Sequence, residues 1–114
     1  QSQVCGGIAQ GAGQALMEQM VYDPESGQVL TGSFMDYTMP RAIDFCHFEL
    51  GSHPVPTTQN PLGVKGAGEC GTVGALSSVM NAVNDALAPL GIDNFAMPAT
   101  PDRIWRAIHD SQSA

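Results

Sequence analysis

The stretch from residue 60 to residue 87 decides the fold, and it reads NPLGVKGAGECGTVGALSSVMNAVNDAL. Its first part, residues 60–71, carries four glycines within nine positions and predicts a loop with unusual backbone demands. Its second part predicts a helix, with Thr72 as the N-cap and an end near Pro89. Apolar residues recur there at helical spacing, at Val73, Leu76, Met80, Val83 and Leu87.

A second helix is predicted near the start of the chain. Residues 6–20 repeat apolar side chains at the spacing of one helix face. Gly7, Gly11 and Ala15 recur every fourth residue, so one edge of this helix has almost no side chains. Either another backbone element or a cofactor must approach that edge closely, and we favour the backbone element.

The segments between these helices predict β-structure. Residues 21–31 predict a hairpin, because β-favouring residues flank a turn at residues 23–27 that contains proline and glycine. Residues 32–41 follow no helical or strand period and should be irregular. Residues 45–50 alternate weakly and predict a short strand before a proline-rich crossing.

The C-terminal residues predict a third, short helix. Thr100, Pro101 and Asp102 are typical of an N-cap, a first helical proline and a first-turn acid, and residues 111–114 should fray. The predicted fold class is therefore α+β, with two to three helices, a short β-hairpin and strands. With 114 residues the chain makes one partial domain at most, and a domain of that size cannot enclose a large active site alone.

The composition excludes several classes of protein. Eleven acidic against four basic side chains give a net charge of −7, which disfavours nucleic acids and anionic membranes as partners. No apolar run approaches the roughly 20 residues that cross a bilayer. Three dispersed cysteines make no C-x-x-C pair or disulfide framework, so we expect a reducing cytoplasm. Because the first residue is Gln1, we expect a piece of a longer polypeptide.

The glycine-rich loop suits an anionic ligand. Its glycines let backbone N–H groups turn toward a ligand, and it runs into a helix N-terminus, whose dipole favours negative charge. It matches neither G-x-x-x-x-G-K-[ST] nor G-x-G-x-x-G. Glu69 is the only carboxylate in the segment. It is either a general base on a fixed loop or a residue that caps the helix or faces solvent.

Other candidates for chemistry carry weaker signals. Cys70 adjoins Glu69 and is either a nucleophile beside the helix N-terminus or a buried, inert thiol, which we favour. Gln3 and Gln10 carry amides that donate and accept, as heterocycle recognition often requires. The three histidines lack metal-ligand spacing, and we expect surface or packing roles for His47, His53 and His109.

Several motifs together resemble a known family. They are Gln3-Val4-x-Gly6, Gln10-Gly11-x-Gly13, Tyr22-Asp23-Pro24, Asp36-Tyr37, Pro40-Arg41, Asn60-Pro61-Leu62-Gly63-Val64-Lys65-Gly66-Ala67-Gly68-Glu69 and Met97-Pro98-Ala99-Thr100-Pro101. In order and approximate spacing they are similar to the C-terminal part of the molybdenum-binding subunit of the xanthine dehydrogenase and aldehyde oxidase family. The last two motifs especially resemble its aerobic carbon monoxide dehydrogenase branch.

The resemblance implies roles for individual residues. In the family, the glutamate that ends this glycine loop is the base of a hydroxylation reaction, and the matching residue is Glu69. Gln3 matches a glutamine that contacts the pterin. The loop that wraps the molybdopterin matches Lys65, Gly66, Ala67 and Gly68.

The resemblance also implies cofactors and partners. The cofactor would be molybdopterin cytosine dinucleotide with molybdenum. Iron–sulfur clusters and FAD would lie on partner subunits, because three dispersed cysteines fall short of the four that a cluster needs. The remaining partners would be the rest of the large subunit and a small substrate, which is carbon monoxide, an aldehyde or an N-heterocycle.

Two cysteines depart from the family pattern. Cys5 stands where bacterial relatives commonly have histidine, and Cys70 stands where alanine is usual. The resemblance therefore leads us to expect an altered substrate side of the site. The alternative function is a non-catalytic, truncated assembly or interaction module that descends from the same family.

Overall fold

The computed structural model describes residues 1–113 and contains three α-helices. They are α1 (Ser2–Leu16), α2 (Cys70–Leu87) and α3 (Pro101–Ser113), with short 3-10 turns at Ala42–Asp44 and Ala88–Leu90. The three predicted helices are therefore present, but the bounds predicted for the first, residues 6–20, are wrong by four residues at each end. It ends at Leu16 because the Met17 and Glu18 amides both donate to the Gly13 carbonyl. Residues 1–113 contain no β-strand, so the predicted strands are not formed and the described fold is α-helical with long irregular connections.

Helices α1 and α2 lie side by side and run in the same direction. The facing pairs are Gly7 with Gly71, Gly11 with Ala75, and Ala15 with Met80. Because each pair advances by about one helical turn on both helices, the two N-termini lie at the same end. That end carries the glycine-rich loop that leads into α2.

The glycine edge of α1 is a backbone packing surface. A Cβ added at Gly11 would lie 2.5 Å from the Thr72 carbonyl oxygen, and one added at Gly7 would lie 3.0 Å from the Thr72 amide nitrogen. On α2, a Cβ at Gly71 would lie 2.5 Å from the Val4 carbonyl oxygen. The edge therefore contacts another backbone element, as favoured from the sequence, and leaves no space for a cofactor between the helices.

Helix α2 begins two residues before the predicted cap. Glu69 is the N-cap residue, and its carbonyl oxygen accepts a 3.1 Å hydrogen bond from the Val73 amide. Thr72 lies inside the helix, and its hydroxyl donates to Gln10 Oε1 at 3.4 Å instead. The prediction of a Thr72 cap is thus wrong, because the hydroxyl is used across the helix pair. The end of α2 near Pro89 is confirmed, since the 3-10 turn that follows Leu87 contains it.

The predicted hairpin is reduced to one antiparallel bridge, between Tyr22 and Val29. Two backbone hydrogen bonds of 2.8 Å flank it, from Asp23 to the Gln28 carbonyl and from Leu30 to the Val21 carbonyl. Gly27 has a φ of 71°, as the turn requires. The turn is therefore present, but the pairing is too short to make strands.

Residues 45–50 form no strand. Within residues 1–113 no segment pairs with them, and an extended run without a partner has no ladder of hydrogen bonds. Phe45 and Phe48 instead pack against each other, with ring centroids 5.8 Å apart. The irregular path predicted for residues 32–41 is confirmed.

The buried core is small. Its members are Ala12, Ala15, Ala75, Met80, Leu87 and Ala99. The radius of gyration is 18.1 Å, whereas a compact domain of this length has about 13 Å. Large apolar side chains remain on the surface, and Phe34, Met35 and Ile43 are each at least 88% exposed. Much of the apolar surface therefore has no cover among the described residues.

Helix α3 begins as predicted and ends later. The Ala99 amide donates to the Ala15 carbonyl oxygen at 2.6 Å, which ties the segment before α3 to α1. Residues 111–113 are helical, so their predicted fraying is wrong. Ser111 and Ser113 donate to backbone carbonyls one turn earlier. Ala114 lies outside the described residues. No helix within residues 1–113 is long and apolar enough to cross a membrane.

Candidate functional site

A hydrogen bond between α1 and the glycine-rich loop defines the candidate site. Gln3, in the first turn of α1, donates from Nε2 to the Gly68 carbonyl oxygen at 2.8 Å. Because the two helices are parallel, the first turn of α1 lies beside the last residues of the loop. The contact joins positions 65 residues apart in the chain and brings together two predicted site residues.

The N-terminal end of the loop is held by the side chain of Asn60. Asn60 donates from Nδ2 to the Val64 carbonyl at 2.9 Å and accepts from the Val64 amide at 3.2 Å. Gly63, with a φ of 66°, donates its amide to the Asn60 carbonyl at 3.1 Å. Asn60, which the sequence indicated only as the first residue of a longer motif, is therefore a structural residue of the loop. The signal was there, since asparagine ahead of a glycine is typical of a side-chain-stabilised turn.

Glu69 is the last residue before α2, and its side chain is exposed. The carboxylate makes no capping hydrogen bond to α2, so one of the alternative roles, that of a side-chain cap, is excluded. The first turn of α2 holds no acidic residue, and neither does the first turn of α1. Two helix N-termini thus meet at the loop, and both favour negative charge there.

Cys70 is exposed, so the prediction of a buried thiol is wrong. Its Sγ donates to the Ala67 carbonyl oxygen at 3.1 Å, across the turn that enters α2. A residue at the first position of a helix that starts from an exposed loop has no core to enter, which explains its exposure. The thiol therefore closes the turn beside Glu69.

The middle of the loop is open to solvent. Its exposed residues are Lys65, Gly66, Ala67 and Gly68. A Cβ added at Gly66 or Gly68 would meet no atom within 4 Å, and neither glycine has a positive φ. Neither packing nor backbone strain within residues 1–113 therefore requires glycine at these two positions. Missing side chains on an exposed loop leave room for a ligand to approach the backbone.

The donors at the loop have the chemistry that a molybdopterin needs. In the described residues, the ion pairs are Arg41 with Asp44 and Arg106 with Asp102, and neither involves Lys65. The ammonium of Lys65, the amide of Gln3 and the backbone N–H groups at the start of α2 are donors for phosphate and pterin oxygens. The residues present therefore fit a large anionic cofactor.

The histidines do not gather at the loop. His47 lines a groove of about 740 Å³ beside the first turn of α1, together with Cys5 and Phe48. His53 is exposed, and the exposed His109 stacks on Trp105 with ring centroids 5.2 Å apart. Surface and packing roles fit all three. Within residues 1–113, no group of three or more metal-ligating side chains forms.

Known proteins are similar to this chain over nearly its whole length. Residues 1–46 match a family model described as "Molybdopterin cofactor-binding domain". The chain is 42% identical to the nicotine 6-hydroxylase large subunit of Paenarthrobacter nicotinovorans, over 94% of this chain and 13% of that protein. It is 37% identical to the carbon monoxide dehydrogenase large chain of Afipia carboxidovorans, over 93% of this chain and 13% of that protein. The chain belongs to the family of molybdopterin-binding large subunits that includes xanthine dehydrogenase and carbon monoxide dehydrogenase.

Solved structures of this molybdenum family share the fold. Quinoline 2-oxidoreductase from Pseudomonas putida 86 superposes with a TM-score of 0.88 at 40% identity, over 96% of this chain and 14% of that one. The Cu,Mo carbon monoxide dehydrogenase superposes with a TM-score of 0.91 at 35% identity, over 97% and 14%. The chain therefore spans a small part of the large subunits it matches. One relative, 36% identical, is the gamma subunit of a 6-hydroxypseudooxynicotine dehydrogenase complex.

Proposed function

We propose that the chain forms the part of a molybdenum hydroxylase large subunit that supplies the catalytic glutamate, Glu69, and part of the cofactor cradle. One observation carries the proposal: the loop ends in an exposed carboxylate where two parallel helices begin, and Gln3 holds its backbone at Gly68. Membership of the molybdopterin-binding family makes an oxidoreductase the best-supported reading of that arrangement.

The proposed cofactor is molybdopterin cytosine dinucleotide with molybdenum. Lys65 would pair with its negative charge, and Gln3 would contact the pterin from the first turn of α1. Gly66, Ala67 and Gly68 would let it approach the loop backbone, and the open space around the two glycines supports this. Two adjacent helix N-termini without first-turn acids add a favourable field for an anion.

Glu69 is the proposed general base. Its carboxylate accepts the proton of the oxygen nucleophile as the new bond to the substrate carbon forms. The molybdenum centre, when bound, supplies the electron acceptor for the pair released from the substrate. No acidic side chain from the first turn of either helix competes for that proton. The backbone on both sides of Glu69 is hydrogen-bonded, and its side chain is exposed, so a substrate could reach the carboxylate.

The proposed substrate is a small carbon compound, and we place N-heterocycles ahead of carbon monoxide and aldehydes. The relatives named for nicotine and quinoline oxidation are 42% and 40% identical to the chain, against 37% and 35% for the carbon monoxide dehydrogenases. Cys5, at the groove beside α1, is one position where the substrate side would differ among relatives.

The proposed partners are the rest of the large subunit and subunits that carry iron–sulfur clusters and FAD. Residues 1–114 would be a single partial domain, and the small core and exposed apolar side chains support that assignment. The net charge of −7 argues against nucleic acids and anionic membranes as partners. We propose the cytoplasm as the location.

Replacing Glu69 tests the proposal against the alternative of a non-catalytic module. In the assembled large subunit, Glu69→Gln keeps the shape of the side chain and removes proton acceptance. Turnover should fall by about 10²-fold or more while molybdenum content stays constant. The control is Gln14→Ala, an exposed change on α1. Full activity of Glu69→Gln at equal molybdenum content would overturn the catalytic assignment and favour the module.

A further inference from the structure

We infer that Gln3 is a positioning residue for Glu69, in addition to any contact it makes with the cofactor. This inference rests on the proposed function of Glu69. Among the described hydrogen bonds, none joins Gln3 to the Glu69 carboxylate. It donates from Nε2 to the Gly68 carbonyl, 2.8 Å away, and that carbonyl belongs to the peptide group that links Gly68 to Glu69.

The planarity of the peptide group carries the effect to Glu69. The Gly68 carbonyl and the Glu69 amide rotate as one rigid unit. A hydrogen bond to the carbonyl oxygen therefore fixes the orientation of the bond that leads into the Glu69 Cα. A Cβ added at Gly68 would meet no atom within 4 Å, so side-chain packing at this position does not hold the peptide group.

The other hydrogen bonds near Glu69 do not fix the peptide group between Gly68 and Glu69. On the C-terminal side, the Glu69 carbonyl accepts from the Val73 amide, which fixes the entrance of α2. On the N-terminal side, the Asn60 contacts end at Val64. Between Val64 and Glu69, the described hydrogen bonds are the Cys70 thiol on the Ala67 carbonyl and Gln3 on the Gly68 carbonyl. A thiol is a weak donor, so the amide is the stronger of the two.

The carboxamide of Gln3 has two ends, and only the donor end is used within residues 1–113. Its Oε1 remains available to a cofactor that lies against the loop. Gln3 would then couple cofactor binding to the position of the Glu69 carboxylate, because both contacts are made by its planar side-chain amide. The register of the helices makes this possible, since Gly7 of α1, one turn after Gln3, is in contact with Gly71 of α2.

Limited trypsin digestion of the cofactor-free large subunit tests this inference. Lys65 is the single lysine of the chain and lies inside the loop, while Arg41 lies in a different segment and serves as the internal reference. Mass spectrometry measures cleavage after each residue. Gln3→Met keeps side-chain length and removes the donor, and Gln3→Glu keeps the acceptor and removes the donor. Both should raise the ratio of Lys65 to Arg41 cleavage by about three- to tenfold, as loss of one hydrogen bond predicts.

The controls separate a lost hydrogen bond from general damage. Gln14→Met makes the same chemical change at an exposed position of α1 and should leave the ratio unchanged. Gln3→His restores an N–H donor of similar reach without adding a trypsin site, and it should bring the ratio back toward the wild-type value. If Gln3→Met disturbs folding, cleavage at both sites rises together, and the charged, soluble Gln3→Glu variant then decides.

An unchanged ratio in Gln3→Glu would overturn the positioning role. In the loaded enzyme at equal molybdenum content, Gln3→Glu should lower kcat and leave KM within about twofold, because a misplaced base affects the chemical step rather than substrate binding. Failure of the proposed function has a different signature, which is full activity of Glu69→Gln. The two hypotheses can therefore fail independently.

Discussion

The Tyr37 hydroxyl donates a 2.7 Å hydrogen bond to the Glu18 carboxylate, just beyond the C-terminal end of α1. The Glu18 amide in turn donates to the Gly13 carbonyl at 2.9 Å. A Cβ at Gly13 would lie 2.6 Å from the Pro40 ring, so the segment around Tyr37 and Pro40 packs directly on the helix backbone. The irregular residues 33–40 are therefore fixed to α1 at the end opposite the candidate site.

The Tyr37 contact should make stability depend on alkaline pH. The hydrogen bond to the Glu18 carboxylate raises the pKa of Tyr37 above its usual value of 10.0, because only the neutral hydroxyl can donate it and ionisation would remove it. The stabilising contribution is therefore complete below pH 10.0 and is lost as pH rises through the raised pKa. Tyr37→Phe should be less stable than wild type below pH 10.0, with a difference that disappears at higher pH.

Urea unfolding followed by circular dichroism across that pH range measures the effect. Tyr22→Phe is the matched control, because Tyr22 is exposed and its hydroxyl has no hydrogen bond among the described contacts. A difference between Tyr37→Phe and wild type that stays constant through the alkaline range would contradict the role of the Glu18 carboxylate.

A pair of glycine substitutions should separate packing from helix propensity in α1. Gly11→Ala places a methyl group 2.5 Å from the Thr72 carbonyl oxygen, so the helices must separate, which costs about 1–3 kcal/mol. Higher helix propensity offsets up to about 1 kcal/mol of this. Gly6→Ala meets no atom within 4 Å and should stabilise the same helix by about 0.5–1 kcal/mol. Thermal unfolding of both variants checks the opposite signs, and equal shifts would show that the edge does not pack as described.

The sequence predicted the helices well because helical periodicity is a local property. The spacing of Gly7, Gly11 and Ala15 also indicated an edge of close approach, since glycine in a helix interior costs about 1 kcal/mol unless packing requires it. The strand at residues 45–50 was wrong because a strand depends on a partner segment, which local alternation does not specify. The hydrogen bond from Gln3 to Gly68 could not be predicted from the sequence for the same reason. It depends on the register of two helices that are distant in the chain.

The N-cap of α2 was predicted wrongly for a different reason. Thr72 is a better cap by residue type than Glu69, yet the helix starts at Cys70. The Gln3 contact at Gly68 and the Thr72 contact with Gln10 both arise from α1. Tertiary contacts thus outweighed the local preference for a capping side chain, and they did so at the candidate site.

Gly68→Ala should impair cofactor loading without loss of fold. The added methyl group meets no protein atom within 4 Å, so thermal stability should match that of wild type. If the cofactor lies against this backbone, the methyl group must displace it, and affinity should fall by about tenfold, the size of a typical overpacking penalty. Molybdenum content of the assembled subunit, measured by elemental analysis, checks this. Normal loading of Gly68→Ala would show that the cofactor does not approach the loop at this position.

The isolated chain should bind molybdopterin weakly. The chain spans 14% of the quinoline 2-oxidoreductase chain it matches, and contacts from the remaining segments would be missing. The loop residues between Val64 and Gly68 have few holding contacts within residues 1–113, and fixing them when the ligand binds lowers the affinity further. Titration of the purified chain with the cofactor, followed by calorimetry, should give no saturation below about the micromolar range. Saturable submicromolar binding would contradict this expectation.

Cys70 and Glu69 are neighbours, and their variants should rank in a fixed order. The Cys70 thiol donates only a weak hydrogen bond, to the Ala67 carbonyl at 3.1 Å, so Cys70→Ala should keep activity within about threefold of wild type. Glu69→Gln should lose about 10²-fold, since no first-turn carboxylate of α1 or α2 can replace the base. Steady-state turnover at equal molybdenum content measures both. An inactive Cys70→Ala beside an active Glu69→Gln would instead make the exposed thiol the reactive group and remove the need for a carboxylate base.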